Sequence, residues 1–328
     1  MQDATGPPEN RLNLPDVPAP IAAAAQTSRA ATVWLALNPV ARRAIALQGA
    51  ILVLTAPLFP LLGISIRWSA ALPQLLTLCL LLGVWLVYIL TPSRRHKVMF
   101  ADALLAMFLL AMFTNIAGAA QYPAVALGFP EIDRWLAASD AALGIHVPAL
   151  TAWTGSHPIV AGVLILSYFS LLPQFALPIV AFGIFYRDRK GLWEYIFHFH
   201  FCLAVTLLGV ALLPAACAFS YYGFESLINQ TRFINHFTHL RSGTFTELRL
   251  NDIEGMISFP SFHVAGGLMV TWAFRAYRRW FAALAVLNTL MIASTVLTGA
   301  HYGVDVVATI VLFAGSVLLW RAWGRNGL

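Results

Sequence analysis

The sequence predicts an all-α polytopic membrane helix bundle with about eight transmembrane helices. Of its 328 residues, 59% are hydrophobic and only 10% are charged, whereas ordinary globular domains carry about 25% charged residues. Apolar stretches of about 20 residues, the length that crosses roughly 30 Å of hydrocarbon, follow one another through most of the chain. Lys and Arg residues cluster in alternate connections between these stretches, which is typical of polytopic membrane proteins. This composition excludes a disordered chain, a nucleic-acid-binding protein and a disulfide scaffold as overall descriptions.

The N-terminal segment differs in composition from the rest of the chain. It is rich in Pro and Ala, carries Asp3, Glu9 and Asp16, and contains no apolar segment close to the terminus. We therefore expect a disordered cytoplasmic tail over residues 1–40, and not a signal peptide. Residues 41–328 are expected to form one integral membrane domain.

Eight apolar segments qualify as transmembrane helices by length and composition. They are Ala44–Ile66, Ser69–Thr91, Val98–Ala120, Pro158–Tyr186, Tyr195–Ala218, Phe259–Tyr277, Trp280–Ala300 and Tyr302–Trp320. The divisions at Arg67 and at His301 are the shortest. Cys79, Cys202 and Cys217 lie in or beside these segments, so we interpret them as small buried hydrophobic residues.

The basic residues predict the orientation of the helices, because cytoplasmic connections carry an excess of Lys and Arg. The cytoplasmic set precedes the first predicted helix and follows the second, fourth, sixth and eighth. It consists of Arg42, Arg43, Arg94, Arg95, Lys97, Arg187, Arg189, Lys190, Arg275, Arg278, Arg279, Arg321 and Arg325. Both termini are therefore expected in the cytoplasm, and the two longest loops, Gln121–His157 and Phe219–Ser258, on the outer face. The net charge of +6 then reflects topology and needs no acidic partner.

Polar groups in the two long loops need an interpretation of their own. Residues 130–143 have the pattern of an amphipathic helix in the membrane interface, with Asp133 and Asp140 on one side. We interpret these carboxylates as a solvated face, and the alternative is that they bind a lipid head group. His236 and His239 lie one helical turn apart, but no third ligand stands at a suitable spacing, so we expect no metal site.

The segment Ser258–His263, with the sequence SFPSFH, stands where the second long loop enters the sixth predicted helix. Pro260 suits the first turn of a helix, where its missing N–H has no consequence. The free backbone N–H groups and the Ser261 hydroxyl at such a helix start favour a phosphate oxygen, because the helix dipole attracts an anion there. His263 is expected within the first turn, beside that site.

A second histidine lies at the junction of the last two predicted helices. His301 and Asp305 are four residues apart, so a helix that begins near His301 brings the carboxylate to one imidazole nitrogen and leaves the other free. A charged group at mid-bilayer costs about 2.5 to 3.5 kcal/mol, and Asp305 therefore needs a partner. Two histidines on one side of the membrane, one with a carboxylate and one beside a Pro-Ser helix start, favour a functional site over structural histidines.

At these residues the sequence resembles the type-2 phosphatidic acid phosphatase superfamily, membrane phosphoesterases that share a six-helix core with haloperoxidases. Residues 260–263 (PSFH) are similar to the superfamily's P-S-G-H element, with Phe in place of Gly. Ser294, His301 and Asp305 are similar to its S-R-x5-H-x3-D element, with Thr295 in place of Arg. The superfamily's first element, K-x6-R-P, is not found in the sequence.

The resemblance implies a role for each matched residue. His301 is similar to the nucleophile that accepts the phosphoryl group, Asp305 to the carboxylate that orients it, and His263 to the acid that protonates the leaving alcohol. The motif-bearing part of the membrane domain is about 195–328. The hydroxyl groups expected to bind the phosphate or the substrate are those of Ser258, Ser261 and Ser294.

The departures from the superfamily pattern remove three cations that would neutralise phosphate oxygens, and phosphoryl transfer depends on such charge stabilisation. Arg241 is the best candidate on the outer face to replace them, followed by Arg249 and Arg232. Lipid phosphotransferases resembling inositol-phosphorylceramide synthase also lack the first element and carry a His-Tyr-x-x-Asp string like residues 301–305. In motif, the resemblance is closest to that sphingolipid-related inositolphosphotransferase branch.

We therefore expect an enzyme that transfers a phosphoryl group from a phospholipid donor to a lipid alcohol or to water through a phosphohistidine, without metal or cofactor. Its site is expected on the periplasmic or outer face of the plasma (inner) membrane. A lipid head-group phosphotransferase is the first hypothesis, and a lipid phosphate phosphatase of the phosphatidate or polyprenyl-phosphate type is the alternative. Two hypotheses of other classes are a structural membrane subunit and a proton-coupled transporter or lipid-binding protein, in which Asp102 joins His301 and Asp305. Asp102 lies near Lys97, so we expect it to pair locally instead.

Overall fold

The chain folds as a bundle of membrane-length helices, with shorter helices between them and one pair of two-residue strands. The structure is a computed structural model that describes residues 29–91 and 98–323. The helices are α1 (Arg29–Ala36), α2 (Pro39–Thr55), α3 (Leu58–Leu61), α4 (Leu72–Leu90), α5 (Val98–Ala126), α6 (Asp133–Ala142), α7 (Val147–Gly155), α8 (Pro158–Phe169), α9 (Leu171–Gln174), α10 (Leu177–Val180), α11 (Arg189–Leu212), α12 (Ala218–Tyr222), α13 (Thr231–Arg241), α14 (Phe262–Ala273), α15 (Arg278–Leu297) and α16 (Gly303–Trp323). Strands β1 (Ser65–Ile66) and β2 (Glu247–Leu248) pair in parallel.

Six helical runs in the described residues are long and apolar enough to cross a membrane. They are Pro39–Leu61, Trp68–Leu90, Val98–Ala126, Arg189–Leu212, Arg278–Leu297 and Gly303–Trp323. The predicted all-α membrane bundle is therefore confirmed, and each of these runs corresponds to one of the eight predicted segments. Cys202 and Cys217 are buried as expected, whereas Cys79 is exposed on α4.

The other two predicted segments do not form single long helices. The segment predicted over 158–186 is divided into α8, α9, α10 and a π-helical turn, and Pro173 and Pro178 interrupt its hydrogen bonding. Helix α8 is also bent by 112° from α7, and these two helices form a seventh span if they are counted together. The segment predicted over 259–277 contains only the 12-residue helix α14.

The end of the predicted tail is helical. Residues 29–40 form α1 and the beginning of α2, where the Asn38 side chain caps the helix by accepting a hydrogen bond from Ala41 N at 2.9 Å. The rest of the predicted tail, residues 1–28, lies outside the described residues. The same holds for four predicted cytoplasmic cations, namely Arg94, Arg95, Lys97 and Arg325.

Two ion pairs with buried carboxylates and one hydrogen bond connect α5, α11, α14 and α16 on one side of the bundle. Asp102, at the beginning of α5, pairs with Arg189 at the beginning of α11, with 2.5 Å between Oδ2 and Nε. Glu194, one turn further along α11, lies 2.9 Å from Arg275, which follows the end of α14. His198 Nδ1 lies 3.0 Å from Ser316 Oγ near the end of α16. Because α14 and α16 end on this side, both helices begin at the opposite end of the bundle.

At that opposite end, α11 lies in close contact with the segment that leads into α14. An added Cβ on Gly209 would lie 2.5 Å from Phe259 O and 2.8 Å from Pro260 Cδ. Membrane helices use small residues in this way to let backbones approach closely. The absence of a side chain at Gly209 therefore sets the position of the turn that carries Ser261.

We predict that Gly209→Ala destabilises the protein by about 1 to 3 kcal/mol, the usual cost of forcing an extra carbon into a packed interior. Gly83→Ala on α4 is the matched control, because an added Cβ there meets nothing within 4 Å. The control should stabilise its helix by roughly 0.5 to 1 kcal/mol, since Ala is the better helix former. Thermal unfolding in detergent measures both variants, and equal melting temperatures would contradict the close contact at Gly209.

Candidate active site

His301 and Asp305 meet at the start of α16. The Asp305 Oδ2 atom lies 3.1 Å from His301 Nδ1, and it also accepts a hydrogen bond from Tyr302 N at 3.0 Å. The contact expected from the four-residue spacing is therefore present. The helix begins at Gly303, near His301 as expected, and the Asp305 carboxylate caps the turn that precedes it.

Ser261 lies on the other side of the same imidazole ring. Its Oγ atom is 3.2 Å from His301 Nε2, and the residue is fully buried. A carboxylate only accepts hydrogen bonds, so Asp305 assigns the ring proton to Nδ1 and leaves Nε2 as the acceptor. Ser261 is also the N-cap of α14, where Oγ accepts from Val264 N at 3.4 Å. Pro260 was expected in the first turn of the helix. It lies instead just before the Ser261 cap, outside that turn.

His263 is the second residue of α14, and its ring centroid lies 6.5 Å from that of His301. It stacks on Tyr168 of α8, with 4.4 Å between ring centroids and 18° between ring planes. No described residue forms a hydrogen bond with a ring nitrogen of His263. The structure thus brings together the two predicted histidines, and it adds an aromatic residue that sequence reasoning missed. Tyr168 lies in an apolar segment that gave no local signal.

The three predicted serines lie in different environments. Ser261 contacts His301, as described above. Ser258 is buried, and its hydroxyl has no hydrogen-bond partner among the described residues. The Ser294 hydroxyl donates to Met291 O on its own helix at 2.6 Å. The Ser258 hydroxyl thus has only the Cys217 thiol beside it, whereas the Ser294 hydroxyl proton is already used.

The arginines predicted as replacement cations all have other partners. Arg241 donates from Nε to Glu131 Oε1 at 3.1 Å and from a terminal nitrogen to Phe129 O at 2.7 Å. The remaining two are exposed: Arg232 pairs with Asp252 and Glu254, and Arg249 pairs with Glu247. Across residues 32–91 and 98–323, no Lys or Arg side chain forms a hydrogen bond or ion pair with the His263, His301, Ser261 or Asp305 side chain.

The sequence profile of the PAP2 superfamily matches residues 134–319, which is more than half of the chain. The chain belongs to the PAP2 superfamily. Membership supports phosphatase or phosphotransferase activity in general, and the matched region contains both histidines and Asp305. No curated protein and no solved structure matches the chain significantly.

Two further histidines of this PAP2 superfamily protein lie apart from the motif residues. His236 Nδ1 is 2.9 Å from the Tyr122 hydroxyl, and His239 Nδ1 is 2.8 Å from Thr244 Oγ1. Burial lowers the pKa of His236. The residues that the structure describes contain no group of three or more His, Cys, Asp or Glu side chains that could hold a metal ion.

Asp133 and Asp140 correct an expectation. They share one face of α6, as predicted, but this face is buried and not solvated. Asp140 accepts hydrogen bonds from Gly303 N and Val304 N, and Asp133 accepts from the Tyr302 hydroxyl. Desolvation raises the pKa of both carboxyl groups. The polar face of α6 therefore contacts the start of α16, through the backbone at Asp140 and through the Tyr302 hydroxyl at Asp133.

We predict that Tyr168 supports His263 through its aromatic ring. Tyr168→Phe keeps the ring and should retain turnover of a phosphate ester, whereas Tyr168→Leu should lower it by up to about tenfold, because a stacked aromatic pair is worth roughly 0.5 to 1.5 kcal/mol. The loss should be smaller with an aryl phosphate, whose leaving group needs no proton. An equal loss with both esters in steady-state assays would contradict a role through His263.

Proposed function

We propose that the protein is a lipid head-group phosphotransferase that acts through a phosphohistidine at His301. The observation that carries the proposal is the position of the His301 ring, which Asp305 holds at Nδ1 while Nε2 points to Ser261. A histidine oriented by a carboxylate is a common activated group in enzymes. His263, whose ring centroid is 6.5 Å from that of His301, lies close enough to act on the same phosphorus centre.

The first step exchanges one bond to phosphorus for another. The lone pair of His301 Nε2 attacks phosphorus, and the P–O bond to the leaving lipid alcohol breaks. His263, in its protonated form, gives its proton to the leaving oxygen. Asp305 accepts the Nδ1–H bond throughout and stabilises the positive charge that develops on the imidazole ring.

The second step reverses this sequence with another alcohol. The acceptor hydroxyl gives its proton to His263, its oxygen attacks phosphorus, and the N–P bond breaks. A lipid alcohol as acceptor makes the reaction a transfer, whereas water makes it a hydrolysis. Neither step requires a metal ion, because His301 is the nucleophile and His263 carries the proton.

The N-terminus of α14 is the proposed anion-binding element. The first backbone N–H groups of a helix have no intrahelical acceptor and carry a partial positive charge of roughly half a unit. The Ser261 hydroxyl donates to His301 Nε2 in the structure. When the substrate's phosphorus approaches Nε2, this hydroxyl is expected to turn and donate to a phosphate oxygen instead. The unpaired Ser258 hydroxyl, two residues before Pro260, supplies a further donor.

The charge of the site supports a phosphodiester donor over a phosphomonoester. The four motif side chains have no Lys or Arg partner in the described residues, and three buried aspartates, Asp133, Asp140 and Asp305, lie around the start of α16. A phosphomonoester is largely a dianion at neutral pH, and like charges nearby disfavour it. A phosphodiester carries a single negative charge, which a helix N-terminus and hydroxyl donors suit better. This balance favours the transferase over the lipid phosphate phosphatase.

A proton-coupled transporter has less support from the structure. Its hypothesis joined Asp102 to His301 and Asp305, but Asp102 pairs with Arg189 near the opposite end of the bundle. Its expected partner Lys97 lies outside the described residues. The Asp102–Arg189 pair is a simpler account of this intramembrane carboxylate.

We predict that substitutions of His301, His263 and Asp305 lower phosphoryl transfer to different extents. His301→Ala should abolish acid-labile phosphoryl label on protein quenched during turnover. His263→Ala should lower turnover by about 10²- to 10⁴-fold, the usual effect of removing a general acid, and by less with an aryl phosphate. Asp305→Asn should lower labelling while the protein stays folded.

The donors are a labelled phosphodiester phospholipid and labelled phosphatidate, each with and without a lipid alcohol. The proposal expects the diester to react faster and product to form on the alcohol. Faster release of phosphate from phosphatidate would instead identify a phosphatase. If label is trapped in His301→Ala but not in His263→Ala, then His263 is the nucleophile and His301 is the general acid.

We also propose that the site faces the periplasm or cell exterior and that the ends of α14 and α16 are cytoplasmic, because the basic residues concentrate there. In a Cys79→Ser background, a membrane-impermeant thiol reagent should label Ser242→Cys after α13 in intact cells. It should spare Ala276→Cys after α14 until the cells are opened. The reverse labelling pattern would mean that the orientation is inverted.

A further inference from the structure

We propose that Asp140 and Asp133 of α6 are positioning residues that fix the orientation of the His301 ring, an inference that rests on the proposed function. Asp140 accepts two hydrogen bonds at the start of α16, from Gly303 N at 2.8 Å and from Val304 N at 2.7 Å. These N–H groups belong to the first helical turn, which has no intrahelical acceptors for them. A carboxylate from a distant helix therefore caps α16.

The neighbouring backbone groups are also paired. Asp305 Oδ2 accepts from Tyr302 N at 3.0 Å, and Asp305 N lies 3.3 Å from Tyr302 O. The first of these bonds is one half of a capping box, in which the side chain three residues into the helix accepts from the N–H of the cap residue. On the other side of the histidine, His301 N donates to Thr295 O at 2.9 Å. The backbone is thus held at His301 N by Thr295 and at Tyr302 N by Asp305, and Asp140 holds the next two N–H groups along the chain.

Asp133 holds the adjacent side chain. Its Oδ1 atom accepts from the Tyr302 hydroxyl at 2.9 Å, and its Oδ2 atom accepts from Ala216 N at 2.8 Å. Tyr302 is fully buried and packs in a small apolar cluster with Leu136 of the same α6 helix. Both oxygens of Asp133 are therefore used to connect α6, the segment before α12, and the residue next to His301.

The approach of α6 to α16 depends on a glycine. An added Cβ on Gly303 would lie 2.5 Å from Ile145 Cδ1 and 3.3 Å from Asp140 Oδ1. A larger residue at this position would displace the end of the Ile145 side chain and press slightly on the Asp140 carboxylate. The absence of a side chain at Gly303 therefore favours the close approach of Asp140.

The proposed role concerns geometry, because neither aspartate contacts the His301 ring. Displacing a reacting group by about 1 Å can lower a rate 10²-fold, and supporting residues around metal sites typically contribute 10- to 100-fold. Loss of Asp140 should therefore lower kcat by about 10- to 100-fold. It should leave KM nearly unchanged, since the substrate is bound by other groups.

The experiment compares Asp140→Ala and Asp140→Asn with Ser139→Ala on full-length protein in detergent. Ser139 is the matched control, because it is exposed on the same helix and its hydroxyl bonds only to Trp135 O. With a labelled phosphodiester phospholipid as donor, we expect phosphohistidine to form more slowly than in wild type in both variants. The loss should be larger in Asp140→Ala than in Asp140→Asn, which keeps one acceptor oxygen. Ser139→Ala should behave as wild type. Thermal unfolding of each variant is measured alongside.

A purely structural role gives a different result. In that case Asp140→Ala lowers the melting temperature but the folded fraction keeps the wild-type kcat, and this outcome overturns the proposal. If Asp140→Ala fails to fold, Asp140→Asn and Tyr302→Phe decide, and wild-type kcat in both overturns it equally. Wild-type protein that transfers no phosphoryl group sinks the proposed function and the inference together. If the wild type is active, His301→Ala is inactive and Asp140→Ala is fully active, only the inference about Asp140 is overturned.

Discussion

The backbone N–H groups at the start of α16 lie in a buried part of a membrane protein, where water cannot accept their hydrogen bonds. Leaving such a group unpaired costs several kcal/mol in hydrocarbon, so the fold must bring acceptors to it. Asp305 supplies one from the helix itself, and Asp140 supplies two more from α6. The same carboxylate of Asp305 contacts His301. The same carboxylate therefore both caps the helix and orients the histidine.

Local spacing accounts for the part of the site that could be predicted from the sequence. The His301–Asp305 contact follows from four residues of separation, and Ser261 at a helix start follows from its place after Pro260. The roles of Asp140 and Tyr168 depend on contacts with residues far away in the chain. Asp140 was interpreted as solvated because an isolated amphipathic helix carries no sign of what packs against its polar face. Only the tertiary arrangement reveals that partner.

The same distinction explains the transmembrane segments. Composition identified the six long runs, because hydrocarbon thickness fixes the number of apolar residues that each needs. It failed at 158–186 and 259–277, where apolar residues continue through proline breaks and through the cap at Ser261. Hydrophobicity reports that a residue is removed from water, but it does not separate burial in the protein from contact with lipid. Helix α14 packs within the bundle, where a full membrane length is not required, whereas α8 exposes large apolar side chains such as Ile159 and Leu166.

Ion pairs inside the bundle explain why so few cations are left for the site. Arg189 and Arg275 neutralise buried carboxylates at one end, and Arg241 pairs with Glu131 near the other. A buried carboxylate without a partner is strongly destabilising, so Arg189 and Arg275 cannot leave Asp102 and Glu194. Glu131 is exposed, and Arg241 is held by this carboxylate together with Phe129 O. The site must then stabilise a phosphoryl group with helix N–H groups, hydroxyls and His263. Dipoles of this kind suit a singly charged phosphodiester, and for this reason the charge distribution of the fold supports the choice of donor.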